Sequence, residues 1–181
     1  MASIVTRKRF TADEYQRMGQ VGILLEGDRV ELIDGEIVTM TPIGTRHNAC
    51  VAKGNRALVR AAGDDAIVLP QGSIRLDLYS EPQPDLVLLR PRSDFYASTH
   101  AGPDDILLTI EIADSSLRYD RDVKSPLYAA ANATPTARAI HRRRAHTDRV
   151  VLENARPSCR RIDVRHPRVA VHSGDPRSGR S

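Results

Sequence analysis

Asp85, Glu111 and Lys124 are the residues of this 181-residue chain whose types and settings suit chemistry. Asp85 opens the apolar run Leu86-Val-Leu-Leu89, and Glu111 lies inside Ile106-Leu-Leu-Thr-Ile-Glu-Ile112, a stretch apolar enough to be a strand buried on both faces. A carboxylate in such a strand is costly unless it reaches the sheet edge, a cation or another partner. Two carboxylates and water make a hard-oxygen site suited to Mg²⁺ or Mn²⁺. On spacing alone, two solvated acids at strand ends fit the same pattern. Lys124 is the third element. Asp120, Lys124 and Tyr128 are spaced i, i+4, i+8 and share one helix face. A surface ion pair between Asp120 and Lys124 explains that spacing without any function. Chemistry requires the same face to point at Asp85 and Glu111.

The elements that must position these residues follow from local signals. Thr11-Ala-Asp-Glu14 has capping-box spacing and predicts a helix running to about Met18. Asp34-Gly35, set between two β-prone runs in Arg29–Met40, predicts a hairpin. A helix is expected from about Thr45 to Ala62, ended by Gly63. Strands are expected at Ala66–Leu69, Ser73–Leu78, Asp85–Leu89 and Asp105–Ala113, then a helix from Asp120 to about Asn132 despite Pro126. Helices flanking a run of strands predict an α/β or α+β sandwich.

Charge divides the chain unevenly. Residues 1–131 hold 15 Lys and Arg against 19 Asp and Glu, a net −4, whereas residues 132–181 hold 12 Arg, no Lys and 4 acids, a net +8. All seven aromatic residues precede residue 132. The basic pI of 9.4 therefore comes from the tail and not from the folded part. Two cysteines, Cys50 and Cys159, are too few and too far apart for a disulfide framework or a cysteine-based zinc site. No apolar run approaches the ~18 residues of a membrane span, and no signal-peptide pattern opens the chain. A soluble cytoplasmic protein with no membrane partner is expected.

Four motifs in order carry a resemblance. They are Glu31-Leu-Ile-Asp-Gly-Glu36, Pro42-x-Gly44-x-x-His47, Glu81-Pro-Gln-Pro-Asp85-Leu86, and Glu111-Ile-Ala-Asp-Ser-Ser116 followed by Asp120-x-x-x-Lys124-x-x-x-Tyr128. Over about residues 9–131 the chain resembles the Uma-two family of restriction endonucleases, within the PD-(D/E)XK nuclease superfamily. The resemblance implies a restriction-endonuclease-like mixed β-sheet flanked by helices and a metal-dependent phosphodiesterase site. Asp85 and Glu111 match the two metal-binding acids, with Mg²⁺ or Mn²⁺ as cofactor. The superfamily lysine expected at position 113 is replaced by Ala113, and Lys124 on the following helix matches it instead. Glu31 matches a further family acid that completes the metal site or orients water. His47 matches a family position of unassigned role, and a polar helix-start residue or a satisfied core histidine fits it equally well.

Past Ala131 the chain leaves the family pattern of a glycine, an acid and an aromatic closing strand. Asn132-Ala-Thr-Pro-Thr-Ala-Arg138 stands there instead. Its composition is that of a GC-rich gene read out of frame. The sequence thus predicts a nuclease-like domain at 1–131 and an Arg-rich, disordered or non-native tail at 132–181, with the final strand missing or replaced. An unpaired edge beside the Glu111 strand would favour a homodimer and marginal stability. Two functions compete. One is a metal-dependent endonuclease hydrolysing DNA, with RNA the other candidate substrate. The second is an inactive nucleic-acid-binding or regulatory remnant whose arginines add phosphate affinity.

Overall fold

A computed structural model of the chain describes residues 6–40, 42–113, 117–131, 136–142, 149–154 and 162–163. Helix α1 spans Ala12–Gln20. Its capping box forms as expected: Glu14 N donates to Thr11 Oγ1 at 3.2 Å, and Thr11 N donates to Glu14 Oε2 at 2.8 Å. Strands β1 (Val30–Ile33) and β2 (Glu36–Thr39) pair antiparallel around Asp34-Gly35. Both turn residues have positive φ, 50° and 81°, which matches the right-handed twist of the strands. At Gly35 a Cβ would also stand 2.6 Å from Arg9 Cβ. Gly35→Ala should therefore lower stability by about 2 kcal/mol, read as a fall in the denaturation midpoint. A midpoint equal to wild type would show that the turn relaxes freely.

Helix α2 (Thr45–Ala62) ends at Gly63, whose φ is 53°. The main sheet has the order β3-β4-β5-β6-β7-β8, with β3 at Ile67–Pro70, β4 at Leu86–Leu89, β5 at Ile106–Ala113, β6 at Thr136–Arg142, β7 at Arg149–Asn154 and β8 at Ile162–Asp163. All neighbours pair antiparallel except β5 and β6, which are parallel. The mixed α/β architecture is the one expected.

Two expectations need correction. Ser73–Leu78 is not a strand. Ile74 makes one isolated bridge to Ala101, and the chain then bends back, with Tyr79 N donating to Asp77 Oδ1 at 2.7 Å and Leu76 N to Ser80 O at 3.0 Å. The alternating Ile74 and Leu76 bury without a ladder. The edge beside β5 is also not open. Of the two forms of the expectation, the replaced strand is the one seen: β6, drawn from the Ala- and Arg-rich segment, pairs along β5 from Thr109 to Ala113. The edge proposed to drive dimerisation is thus occupied. The boundary expected at 131/132, and residues 143–148, 155–161 and 164–181 of the expected tail, lie outside the described residues.

The core sits on both faces of β4 and β5. On one face Leu86, Ile110 and Ile112 pack with Cys50, Val51 and Leu58 of α2. On the other, Val87, Leu89 and Ile106 pack with Ile74, Leu76, Ala101 and Tyr128. Period-two alternation along β5 therefore turns Glu111 away from α2 and toward the last helix.

That helix is continuous from Leu117 to Ala130 but not uniform: α3 (Leu117–Tyr119) runs into a π-turn (Asp120–Lys124) and then α4 (Ser125–Ala130). Pro126 supplies a physical reason. It has no N–H, and in a regular helix its ring would crowd the carbonyl four residues back. The widened turn lets Ser125 N–H bond Asp120 O, five residues back, and Ser125 Oγ donates to the same oxygen at 2.8 Å. Single π-turns of this kind concentrate at functional sites.

Candidate active site

Register sets the first pair. In the antiparallel β4–β5 ladder Leu86 lies opposite Ile110, so the next pair outward is Asp85 and Glu111. Such neighbours have Cβ atoms about 5 Å apart, close enough for one ion to bridge their carboxylates. Asp85 is held from two sides. Its Oδ2 accepts from Ile112 N at 2.7 Å, and its Oδ1 lies 2.8 Å from His47 Nε2 in the first turn of α2. The bond to Asp85 raises the His47 pKa above its ordinary value, outweighing burial.

Lys124 joins the remaining acids. Its Nζ lies 3.0 Å from Glu31 Oε2 and 3.3 Å from Glu111 Oε1, and Tyr128 Oη donates to Glu111 Oε1 at 2.6 Å. Glu31, Glu111, Asp120, Lys124 and Tyr128 are all buried, with 5 % of Lys124 exposed. That burial rules out the surface ion pair as the account of Lys124. The hairpin brings Glu31 in from β1, and Gln83 N donates to its Oε2 at 3.2 Å. Its Oε1 is buried with no hydrogen-bond partner.

Burial alone would lower the Lys124 pKa, but Glu111 and Glu31 more than compensate and keep it an ammonium. Burial, reinforced by Asp85 and Asp120, pushes Glu111 up to about 7 against the pull of Lys124 and Tyr128. Burial likewise raises Tyr119 to about 12, so its hydroxyl keeps its proton at neutral pH. All these groups except Tyr128 line one pocket of about 540 Å³, together with Arg29, Gln71 and Gln83.

The donor set can be tested against a divalent ion. Among the described residues, no three His, Cys, Asp or Glu side chains form a ready-made metal cluster. Mg²⁺ does not require one, because it is commonly held by one or two carboxylates with water and substrate phosphate. Asp85 and Glu111 supply adjacent hard oxygens, and the partnerless Glu31 Oε1 supplies a third. The residues present fit the ion.

Sequence reasoning missed three contributors. Tyr119 carries no spacing signal beyond adjacency to Asp120, and the Gln83 contact uses a backbone N–H that any residue other than proline would offer. Gln71 lines the pocket from a turn in which its φ is 50°, and its N–H bonds Asp85 O at 3.0 Å. The Pro70-Gln-Gly72 break marked the turn but not its place beside Asp85. Glu81, another acid of the resemblance motifs, lies elsewhere. It is buried against Gln16 and Arg75 and ties α1 to the body.

The fold is a mixed α/β sheet flanked by helices, with buried Glu111 and Lys124 beside a partly buried Asp85. The chain belongs to the Uma2 family, described as "putative restriction endonuclease", whose model matches residues 12–175. The match runs past residue 131, where the resemblance in the motifs ends. A crystal structure of a "putative nuclease belonging to DUF820" from Anabaena variabilis shares the fold, with a TM-score of 0.57 and 16% identity over 91% of this chain and 89% of that one. No curated protein matches the chain. No helix among the described residues is long and apolar enough to cross a membrane.

Proposed function

We propose that this chain is a metal-dependent endonuclease that hydrolyses DNA phosphodiester bonds with Mg²⁺. The observation carrying the proposal is the adjacency of Asp85 and Glu111 across β4 and β5, in a pocket that also receives Lys124 and Glu31. Family membership supports a nucleic-acid substrate. The pocket gathers Glu31, Asp85, Glu111 and Asp120 against Lys124, Arg29 and a histidine, an acid excess that attracts a divalent cation. Asp85, Glu111 and Glu31 Oε1 would hold the ion, which supplies a water of lowered pKa and Lewis-acid stabilisation of developing charge.

The chain's own residues divide the remaining work. Lys124, charged and held between Glu31 and Glu111, stabilises the extra negative charge of the pentavalent phosphorane. It does not serve as general base, because those two carboxylates oppose its deprotonation. His47 and Ile112 N fix the Asp85 carboxylate, so its orientation is set before substrate arrives.

A plasmid-nicking assay tests the reading. Wild type should nick supercoiled DNA only when Mg²⁺ or Mn²⁺ is present, and Asp85→Ala should lower the rate at least about 10³-fold. Absence of nicking by wild type, or equal nicking by Asp85→Ala, rejects it. An RNA substrate in parallel distinguishes the two nucleic acids.

A further inference from the structure

We infer that the Tyr119 hydroxyl is a substrate contact, donating a hydrogen bond to a non-bridging oxygen of the phosphate that enters the pocket. The inference rests on the nuclease reading and adds a catalytic residue to it. Among the described residues, three buried side-chain atoms lack a hydrogen-bond partner: Glu31 Oε1, Asn55 Oδ1 and Tyr119 Oη. Two of the three belong to residues lining the acid pocket, and Asn55 does not. A buried polar group without a partner is destabilising, so native chains retain few of them without a reason.

The chemistry of the two pocket atoms differs in a useful way. A carboxylate oxygen is an acceptor and calls for a cation or a donor. A phenol in this setting donates and calls for an acceptor. The pocket therefore leaves one demand for positive charge and one for an oxygen acceptor. A divalent cation carrying a phosphate oxyanion meets both at once, whereas water alone leaves the excess of acids uncompensated. Tyr119 is also well supported for such a task. It ends α3 where the helix enters the π-turn, one residue before buried Asp120 and five before Lys124, so the same turn presents the ammonium and the phenol to the pocket. Lys124 already satisfies Glu31 Oε2 and Glu111 Oε1, and Tyr128 serves Glu111 Oε1. The Tyr119 donor is left for the occupant.

Tyr119→Phe isolates the hydroxyl. The probe is a short oligothymidylate, bound in Ca²⁺ and followed by fluorescence anisotropy beside the same oligomer with methylphosphonate linkages, which lack the charged non-bridging oxygen. Wild type should prefer the phosphodiester probe, and Tyr119→Phe should lose about 10-fold or more of that preference. Its ligand-free melting midpoint should match or exceed wild type, because an unmet buried donor has been removed. A retained preference, no preference in wild type, or a variant that melts lower or fails to fold overturns the inference. The last of these would make the hydroxyl structural. Nicking separates this inference from the reading beneath it. Undiminished Mg²⁺-dependent nicking by Tyr119→Phe rejects Tyr119 alone, and no nicking by wild type rejects the nuclease.

Discussion

Lys124→Ala should lower the stability of the metal-free chain by about 3–5 kcal/mol and abolish cleavage. The ammonium lies within 3.3 Å of both Glu31 and Glu111, and those side chains are 1% and 5% exposed. Removing it leaves two buried carboxylates without their shared cation, the situation in which breaking a buried pair costs several kcal/mol. The same deletion at a surface pair would cost at most about 1 kcal/mol. Denaturant titration therefore distinguishes the two placements directly. Metal should partly rescue the variant, since a cation near Glu31 and Glu111 replaces the missing charge. The midpoint gained on adding Mg²⁺ should be larger in Lys124→Ala than in wild type. A loss under 1 kcal/mol would mean that the carboxylates find another partner or take up protons cheaply, and the charge role of Lys124 would fall with it.

Much of this site was legible because its residues obey short-range rules. The capping box at Thr11 and Glu14, the Asp34-Gly35 turn and the apolar run around Glu111 each declare an element from a few neighbouring residues. Asp85 and Glu111 could be picked out as acids out of place in apolar strands. What the sequence lacks is the pairing register, which puts the two acids beside each other instead of one residue apart on opposite faces. Glu31 and His47 were reached through family resemblance only. Each lies far along the chain from the partner it meets, and no local spacing links His47 to Asp85 or Glu31 to Lys124. The Ser73–Leu78 segment shows the opposite failure. Its alternation has the period of a strand, but the Asp77 turn folds it back after one bridge, and burial of Ile74 and Leu76 explains the pattern equally well. The π-turn was half legible. Pro126 signals a disturbed helix, but which carbonyl takes the displaced N–H depends on the tertiary burial of Asp120 and Lys124.

Glu111→Gln should abolish cleavage and yet stabilise the metal-free protein, increasingly so as pH rises. Burial first, then Asp85 and Asp120, raise the Glu111 pKa to about 7, well above its unfolded value near 4.5. Between those values the folded chain holds a proton that the unfolded chain has released. Stability therefore falls as pH rises through this window, and the loss is complete above about pH 7. The loss belongs to the ionised carboxylate, and glutamine escapes it because it never ionises. The variant and wild type should thus have similar midpoints near pH 4 and separate progressively toward pH 8. Mg²⁺ should reverse the comparison, since the ion is attracted by the ionised acid. It should raise the wild-type midpoint most above pH 7 and leave Glu111→Gln almost unmoved. Thermal melts at pH 4, 6 and 8, each with and without Mg²⁺, carry the test. A Glu111→Gln midpoint that stays below wild type at pH 8 without metal would show that Lys124 and Tyr128 fully compensate the ionised carboxylate. In that case the acid is a structural anchor for the helix instead of a charge held ready for an ion.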